Sequence, residues 1–216
     1  NDIFGIFLHM NAGRPKDLEK RKRILEAAKM LFLECGYHGC SMNKIAQKAD
    51  TSKLTVYNHF QDKESLFMAA IAETCDKLIH AQPIHLSADS NFLHALHHAC
   101  ELSLNIVNLP EALKMEYLLL ELASQQNPLA QQFYNASHQK LCNLWENFFE
   151  QAISLKFIRV DVPRTQTMLI FSLLLGLRHH EVLMGIRTVP NYAERQQIIQ
   201  DSIELFLLRY EISAFI

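Results

Sequence analysis

The sequence predicts an all-α protein of about nine helices, with a small N-terminal helix-turn-helix head and a larger C-terminal helical domain. Apolar residues recur at the helical period in nearly every segment. Gly and Pro number only six each among 216 residues, too few for a many-turned β fold. With 49% hydrophobic and 20% charged residues, the chain has the composition of a globular protein with a sizeable core.

Four helices are predicted in the N-terminal part, in the order 17–35, a short helix after Ser41, 53–59, and 62 to about 80. Gly36 suits the end of the first helix, where a left-handed residue is common. Ser41, Ser52 and Asp62 are candidate N-caps for the three that follow, because their side-chain oxygens can accept from free backbone N–H groups.

Five further helices are predicted after the break "AQPIHLSADS", at about 91–109, 110–124, 128–155, 163–185 and 191–212. Ser90 and Asn191 are candidate N-caps of the first and last. Pro110, Pro128 and Pro163 suit the first position of the other three, where the missing N–H costs nothing.

The sequence predicts neither an N-terminal signal peptide nor a membrane-spanning helix. Residues 1–9 lack a basic start and a cleavage site. The longest apolar run, "MLIFSLLLGL" at 168–177, is shorter than the ~20 residues that span a bilayer. Met10 opens "MNAGRPK", which resembles a natural start, so residues 1–9 are left out of the fold prediction and their native origin stays open. Residues 1–16 form the predicted N-terminal arm.

The cysteines indicate a reducing compartment. Five of them are scattered along the chain without a CxxC pair, so we predict reduced thiols in a cytoplasmic protein. "CGYHGC", 35–40, favours a helix end and turn over a metal loop, since no second pair of ligands follows. No catalytic or cofactor fingerprint occurs, so neither an enzyme nor a cofactor is expected.

Charge is unevenly distributed along the chain. The formal net charge is −2, but residues 10–65 hold 11 Lys/Arg against 7 Asp/Glu, whereas residues 66–216 hold 10 against 15. A polyanionic partner would therefore be met by the N-terminal part.

"SMNKIAQKADTSKLTVYNHF", residues 41–60, has the layout of two short helices joined by a three-residue turn. Ile45, Ala46 and Ala49 on the first helix can pack against Val56 and Phe60 on the second. The second helix then directs its polar residues outward, as a helix in the major groove of DNA must.

The exposed side chains suit distinct contacts with a duplex. Lys53 and Lys63 are point charges for phosphate, Tyr57 and His59 can donate to phosphate oxygens, and Ser41 and Ser52 stand at helix starts that favour phosphate. Thr55 and Asn58 can reach base edges, and Leu54 can touch a thymine methyl group. Arg14, in the arm before the first helix, can enter a minor groove or lie along phosphates.

The segment "ILEAAKMLFLECGYHGCSMNKIAQKADTSKLTVYNHFQDKESLF", 24–67, strongly resembles the DNA-binding domain of TetR-type transcriptional regulators. The resemblance implies a homodimer with DNA-binding residues in 17–65 and a ligand-binding and dimerisation domain in 66–216. Carried over residue by residue, it implies DNA contacts at Ser41, Lys53, Leu54, Thr55, Tyr57, Asn58, His59 and Lys63. Two residues depart from the usual pattern: Asp50 replaces a frequent Gly in the turn, and Leu54 replaces a small residue.

The C-terminal domain is predicted to dimerise and to bind a small hydrophobic ligand. Helix 163–184 is apolar over much of its circumference and helix 191–212 has an apolar face, so they are the candidates for packing against both a core and a partner. The partner would be a second copy, presenting two recognition helices to a palindromic operator. Candidate ligand-binding residues, weighed against ordinary core roles, are His97, Tyr117, Phe133, Trp145, Met168 and Phe171.

Two alternatives to a repressor released by this effector stay open. His94, His97 and His98 share one helix face, which permits a metal-responsive regulator, although no further ligand is placed to complete a site. A helical interaction module without DNA binding is the other. Repression rather than activation rests on family frequency, and the sequence does not identify the operator or the effector.

Overall fold

The computed structural model describes residues 15–79 and 85–211. Residues 1–14 of the predicted N-terminal arm, including Arg14, lie outside them, and its last two residues belong to the first helix. The described residues form helices α1 to α11, which are Pro15–Gly39, Met42–Lys48, Lys53–His59, Lys63–Ile79, Phe92–Val107, Pro110–Ser124, Leu129–Ala136, His138–Ser154, Pro163–Leu174, Gly176–Leu183 and Tyr192–Tyr210. An isolated β-bridge joins Ile158 and Glu211. The all-α prediction is confirmed.

Two predicted helices are each broken into two, so the described chain has eleven helices rather than nine. The predicted helix 128–155 breaks at Ser137 (φ −120°, ψ −86°), whose hydroxyl donates to the Phe133 carbonyl oxygen at 2.8 Å. The predicted helix 163–185 breaks at Leu175 and Gly176, where Gly176 has a φ of 46°. The serine hydroxyl, which competes for a backbone carbonyl, and the flexible glycine permit these two breaks. Both residue types also occur inside continuous helices, so the sequence alone does not predict a break there.

One helix start also differs from expectation. Asn91, not Ser90, caps α5: its side chain accepts from the His94 N–H at 3.0 Å, while the Ser90 hydroxyl accepts from the Ser87 N–H. Helix α1 continues past Cys35 to Gly39 with a kink at Gly36, where φ is 72° and ψ is 176°. Because Gly36 is non-helical and has a positive φ, the regular turns of the first helix end at this glycine, as predicted, and a second short helical stretch follows it to Gly39.

The chain divides into two compact units, residues 1–70 and 71–216. In the first unit, the core joins fully buried side chains from α1, α2, α3 and the start of α4. Phe32 and Phe67 meet edge to face with ring centroids 4.9 Å apart, and Tyr37 lies 5.0 Å from Phe67. This aromatic cluster fixes the frame on which α2 and α3 are held.

In the second unit, α5, α8, α9 and α11 surround a core centred on Trp145. The indole ring is fully buried and its Nε1 donates to the Ser103 hydroxyl at 2.9 Å. Phe149 and Phe206 stack beside it, with ring centroids 5.1 Å apart.

Among the helices of residues 15–79 and 85–211, none is long and apolar enough to cross a bilayer.

Candidate functional site

A tight turn joins α2 to α3 and fixes their angle. Asp50 adopts a left-handed conformation (φ 49°). Its N–H donates to the Gln47 carbonyl at 3.2 Å, and the Thr51 N–H donates to the Ala46 carbonyl at 3.0 Å. This is the hydrogen-bond pattern of a Schellman cap, in which glycine is usual. Asp50 therefore takes the place of that glycine in the left-handed position, which Asp tolerates better than most residues.

Helix α3 has one buried side and one exposed side. Val56 is fully buried and Phe60 is 5% exposed, whereas Leu54 is 70% and Tyr57 is 42% exposed. Asn58 is exposed as well. Leu54 and Tyr57 are thus exposed to solvent, while Val56 and Phe60 anchor α3 in the core of the first unit.

The start of α3 is capped by its own serine. The Ser52 hydroxyl accepts from the Thr55 N–H at 3.1 Å and lies 2.8 Å from the Thr55 hydroxyl. Lys53 is exposed, with its ammonium 5.7 Å from the centre of the Tyr57 ring. Ser41 caps α2 in the same way, accepting from the Lys44 N–H at 3.3 Å. The two helix starts therefore carry exposed hydroxyls, and the second has a neighbouring cation.

Two predicted contact residues have partners inside the first unit. The His59 ring lies 3.2 Å from the Asp17 carboxylate, and its side chain is only 11% exposed. The Lys63 ammonium donates to the carbonyls of Tyr37 (3.1 Å) and Cys40 (3.3 Å), and it lies 4.2 Å from the centre of the Tyr37 ring. His59 thus joins the end of α3 to α1, and Lys63 joins the start of α4 to the end of α1. The sequence motif did not show these roles.

The second unit contains a cavity of about 320 Å³. It lies among α4 to α10, and its wall is mostly apolar. The lining residues are Cys75, Ile106, Val107, Ala112, Met115, Glu116, Phe133, Tyr134, Ser137, His138, Leu141, Cys142, Met168, Phe171, Leu175 and His179.

Three of the six predicted ligand residues line this cavity: Phe133, Met168 and Phe171. The other three are not among its lining residues. Trp145 is buried in the core, and Tyr117 is 46% exposed on α6. His97 is half-buried on α5. The sequence does not show whether a large aromatic side chain on an apolar helix faces the packed core or a cavity. Cavity-lining aromatic residues could therefore not be distinguished from core residues.

One wall of the cavity is polar. The His138 Nε2 atom lies 2.8 Å from the Glu116 Oε2 atom, and His138 Nδ1 lies 3.0 Å from the Ser137 hydroxyl. The hydrogen bond from His138 lowers the pKa of Glu116, although burial opposes that shift. Glu116 and His138 are 22 positions apart on different helices, so no local pattern in the sequence indicates that they pair.

Burial disfavours the charged forms of two cysteines and one histidine in the wall. Burial raises the pKa of Cys75 to about 11 and also raises the pKa of Cys142. Burial lowers the pKa of His179, which favours the neutral imidazole. The cavity therefore offers thiols rather than thiolate nucleophiles.

The three histidines on α5 do not form a metal site. His94 and His98 are exposed and His97 is half-buried. Across 15–79 and 85–211, no group of three or more His, Cys, Asp or Glu side chains is placed to hold a metal ion. The geometry gives no support to the metal-responsive alternative.

Helices α10 and α11 and the segment between them expose a row of large apolar side chains. Leu208 is 80%, Leu177 73% and Leu205 53% exposed. The inward side of α11 is buried in the core of the second unit through Ile199 and Phe206. A helix with apolar residues on both sides suits a position between a core and a partner.

Two family models match the chain. Residues 24–70 match "Bacterial regulatory proteins, tetR family". Residues 94–212, more than half of the chain, match "AefR-like transcriptional repressor, C-terminal domain".

Individual proteins are similar over different extents. The transcriptional activator FasR of Mycolicibacterium smegmatis is 38% identical over 65 residues, which cover 30% of this chain and 29% of FasR. A crystal structure of a TetR-family transcriptional regulator from Mesorhizobium loti is 25% identical, with a TM-score of 0.81, covering 92% of this chain and all of that one. The flavonoid-responsive regulator FrrA is 26% identical, with a TM-score of 0.78, covering 90% and 98%.

Proposed function

This chain belongs to the TetR family of DNA-binding transcriptional regulators, and we propose that it is a cytoplasmic repressor that a small, largely apolar molecule releases from a palindromic operator. The observation that carries the proposal is the exposed side of α3, which presents Leu54, Tyr57 and Asn58 while Val56 is fully buried. Repression is supported by the repressor family that the C-terminal residues match. FasR is an activator, so its similarity supports activation instead, but that similarity covers only 30% of this chain.

DNA recognition is proposed for the predicted contact residues of the first unit. Exposed Lys53 and Tyr57 suit phosphate, and Leu54, Thr55 and Asn58 suit base edges. Ser41 and Ser52 cap helices whose free N–H groups also favour phosphate. His59 and Lys63 would act mainly by holding this surface in place, because each already has a partner within the unit.

The test of DNA recognition has a matched control inside the chain. Sites are first selected from random duplex DNA, and Lys53→Ala and Tyr57→Ala are then assayed by fluorescence anisotropy. Each change should weaken binding by about 1–3 kcal/mol. The controls are Lys114→Ala and Tyr117→Ala in the second unit, where Tyr117 is 46% exposed. Equal affinity of all four variants would favour a helical interaction module that does not bind DNA.

Dimerisation is proposed through α9, α10 and α11. The exposed apolar row on α10 and α11, including Leu205 and Leu208, would be covered by the same row of a second copy. Leu208→Glu should shift the protein to monomers in analytical ultracentrifugation, because the interface would then bury two unpaired carboxylates. Leu93→Glu on α5, where the leucine is 54% exposed, is the control and should leave the dimer intact.

Ligand release is proposed as a shift between two dimer conformations. A ligand that prefers the conformation unable to span the operator lowers operator affinity by the ratio of its affinities for the two states. Helix α4 carries Cys75, which lines the cavity, and continues back to Lys63, so it is the proposed connection. FrrA, whose name states a response to flavonoids, supports a small-molecule effector. DNA-bound dimers that ignore every compound bound by the free protein would refute this coupling.

A further inference from the structure

The charged groups around the cavity are paired with each other. Three acid–base pairs lie on the helices that form it: Glu116–His138 at 2.8 Å, Arg164–Glu146 at 2.7 Å and Lys140–Asp76 at 2.6 Å. Only the first pair is among the lining residues, and in each pair the acidic and the basic side chain already have one another as partners. An ionic ligand would have to give up its hydration without meeting an unpaired counter-charge.

The Glu116–His138 pair also leaves one acceptor free. His138 Nε2 faces the carboxylate, and Nδ1 faces the Ser137 hydroxyl, whose own hydrogen points to the Phe133 carbonyl. Each ring nitrogen of His138 thus has one neighbour within hydrogen-bonding distance. Within the described residues the second carboxylate oxygen, Glu116 Oε1, has no hydrogen-bond partner.

The wall beside this acceptor is flat and aromatic. The Tyr134 and His138 rings are stacked with an interplanar angle of 8° and centroids 5.4 Å apart. Phe133 and Phe171 contribute two further rings to the lining. Planar apolar surfaces favour a planar, unsaturated ligand body, and about 320 Å³ accommodates two or three fused or linked rings.

We propose that the cavity binds an uncharged aromatic ligand carrying a hydroxyl group, and that Glu116 Oε1 accepts the hydrogen bond from that hydroxyl. This inference rests on the proposed function, since it names the class of effector for the same cavity. A cation is disfavoured because it would have to compete with His138 for the Glu116 carboxylate. A carboxylate is disfavoured because it would stand beside the Glu116 carboxylate. Arg178 does not offer such a ligand a counter-charge, because it lines a separate cavity of about 10 Å³, which has room for a single water molecule at most.

Four probes with one common body test the head group directly. They are biphenyl, 4-phenylphenol, biphenyl-4-carboxylate and 4-aminomethylbiphenyl, the last two ionised at about pH 7.5. Binding to the full chain without DNA is followed by calorimetry and by the fluorescence of Trp145, the single tryptophan, whose ring centroid lies 5.9 Å from that of Phe171. The phenol should bind roughly ten- to a hundred-fold more tightly than biphenyl, as one hydrogen bond to a charged group provides.

The Glu116→Gln variant assigns the acceptor. It should reduce the affinity for the phenol at least about tenfold and leave the affinity for biphenyl within about twofold. Met168→Leu, which changes the apolar lining alone, should weaken all four probes alike or not at all. The comparison of the four probes uses the unmodified protein, so it tests the hydroxyl assignment even if Glu116→Gln does not fold.

The outcomes separate this inference from the proposed function. If the carboxylate or the ammonium probe binds more tightly than the phenol, or if phenol and biphenyl bind equally, the hydroxyl assignment is wrong while the cavity remains a ligand site. If none of the probes or a wider set of small molecules binds, both the inference and the ligand-controlled function fail. Tight phenol binding that Glu116→Gln leaves unchanged would overturn the role of Glu116.

Discussion

Two aliphatic residues of α3, separated by one position, provide a sharp test of how the recognition helix is held. Val56 is fully buried and Leu54 is 70% exposed. We predict that Val56→Ala lowers the free energy of unfolding of the first unit, and that Leu54→Ala does not. Operator recognition should show the reverse pattern, because Leu54 is exposed on the side that faces DNA in the proposed complex.

The size of the Val56→Ala effect follows from three contributions. Removing two buried carbon groups costs about 1.6 kcal/mol at about 0.8 kcal/mol for each. The space that they leave adds a further cost of about 1 kcal/mol, since a short helix anchored at few points collapses only partly around it. The better helix propensity of alanine returns about 0.5 kcal/mol. The expected net loss is about 2 kcal/mol, against less than about 0.5 kcal/mol for Leu54→Ala.

Amide hydrogen exchange of peptides within 41–60 measures the stability of this unit, which Trp145 in the second unit does not report. Operator affinity is measured by anisotropy under conditions where both variants stay folded. Val56→Ala should retain the sequence preference of the parent protein, and Leu54→Ala should alter it at one base position per half-site. Equal destabilisation by the two variants would refute the assignment of a buried and an exposed side to α3.

Four further changes test other parts of the structure. Lys53→Gln should reduce the slope of log affinity against log salt by roughly 0.9 for each phosphate that the variant no longer neutralises, while the melting temperature stays constant. Asp50→Gly should stabilise the turn by about 0.5 kcal/mol, because glycine adopts the left-handed φ of 49° without strain; a lower melting temperature would contradict this. Trp145→Phe should cost about 2–4 kcal/mol in urea denaturation followed by circular dichroism, since it leaves the Ser103 hydroxyl unpaired and a space in the core. Burial lowers the pKa of His179 below 6.5, so the unfolded chain takes up a proton that the folded chain refuses. Stability should therefore fall as the pH drops below about 6.5, and His179→Gln should lessen that fall.

Local signals in the sequence predicted most of the fold. Ser41, Ser52 and Asn191 cap helices as expected, since an N-cap depends on atoms within three residues. The helix breaks at Ser137 and Gly176 were not predicted, because the apolar period continues through both and only the tertiary packing decides between a bend and a straight helix.

The candidate sites were predicted unequally for the same reason. The exposed side of α3 follows from one continuous motif, so Leu54 and Tyr57 were correctly expected to be exposed. The cavity draws its wall from several helices, and the pairing of Glu116 with His138 depends on how α6 and α8 pack together. The spacing of residues within a single segment does not contain that information. For the same reason Trp145 and Phe171 were predicted equally as ligand-binding residues, although of the two only Phe171 lines the cavity.

The position of Lys63 affects how mutational scans of this protein should be interpreted. Its ammonium donates to two carbonyl oxygens at the end of α1. In the proposed complex it would hold the first unit together rather than contact a phosphate. Substituting it would loosen the scaffold and lower the apparent operator affinity, much as removing a side chain that touches DNA would. A map of affinity losses alone would therefore overstate the footprint of the protein on its operator.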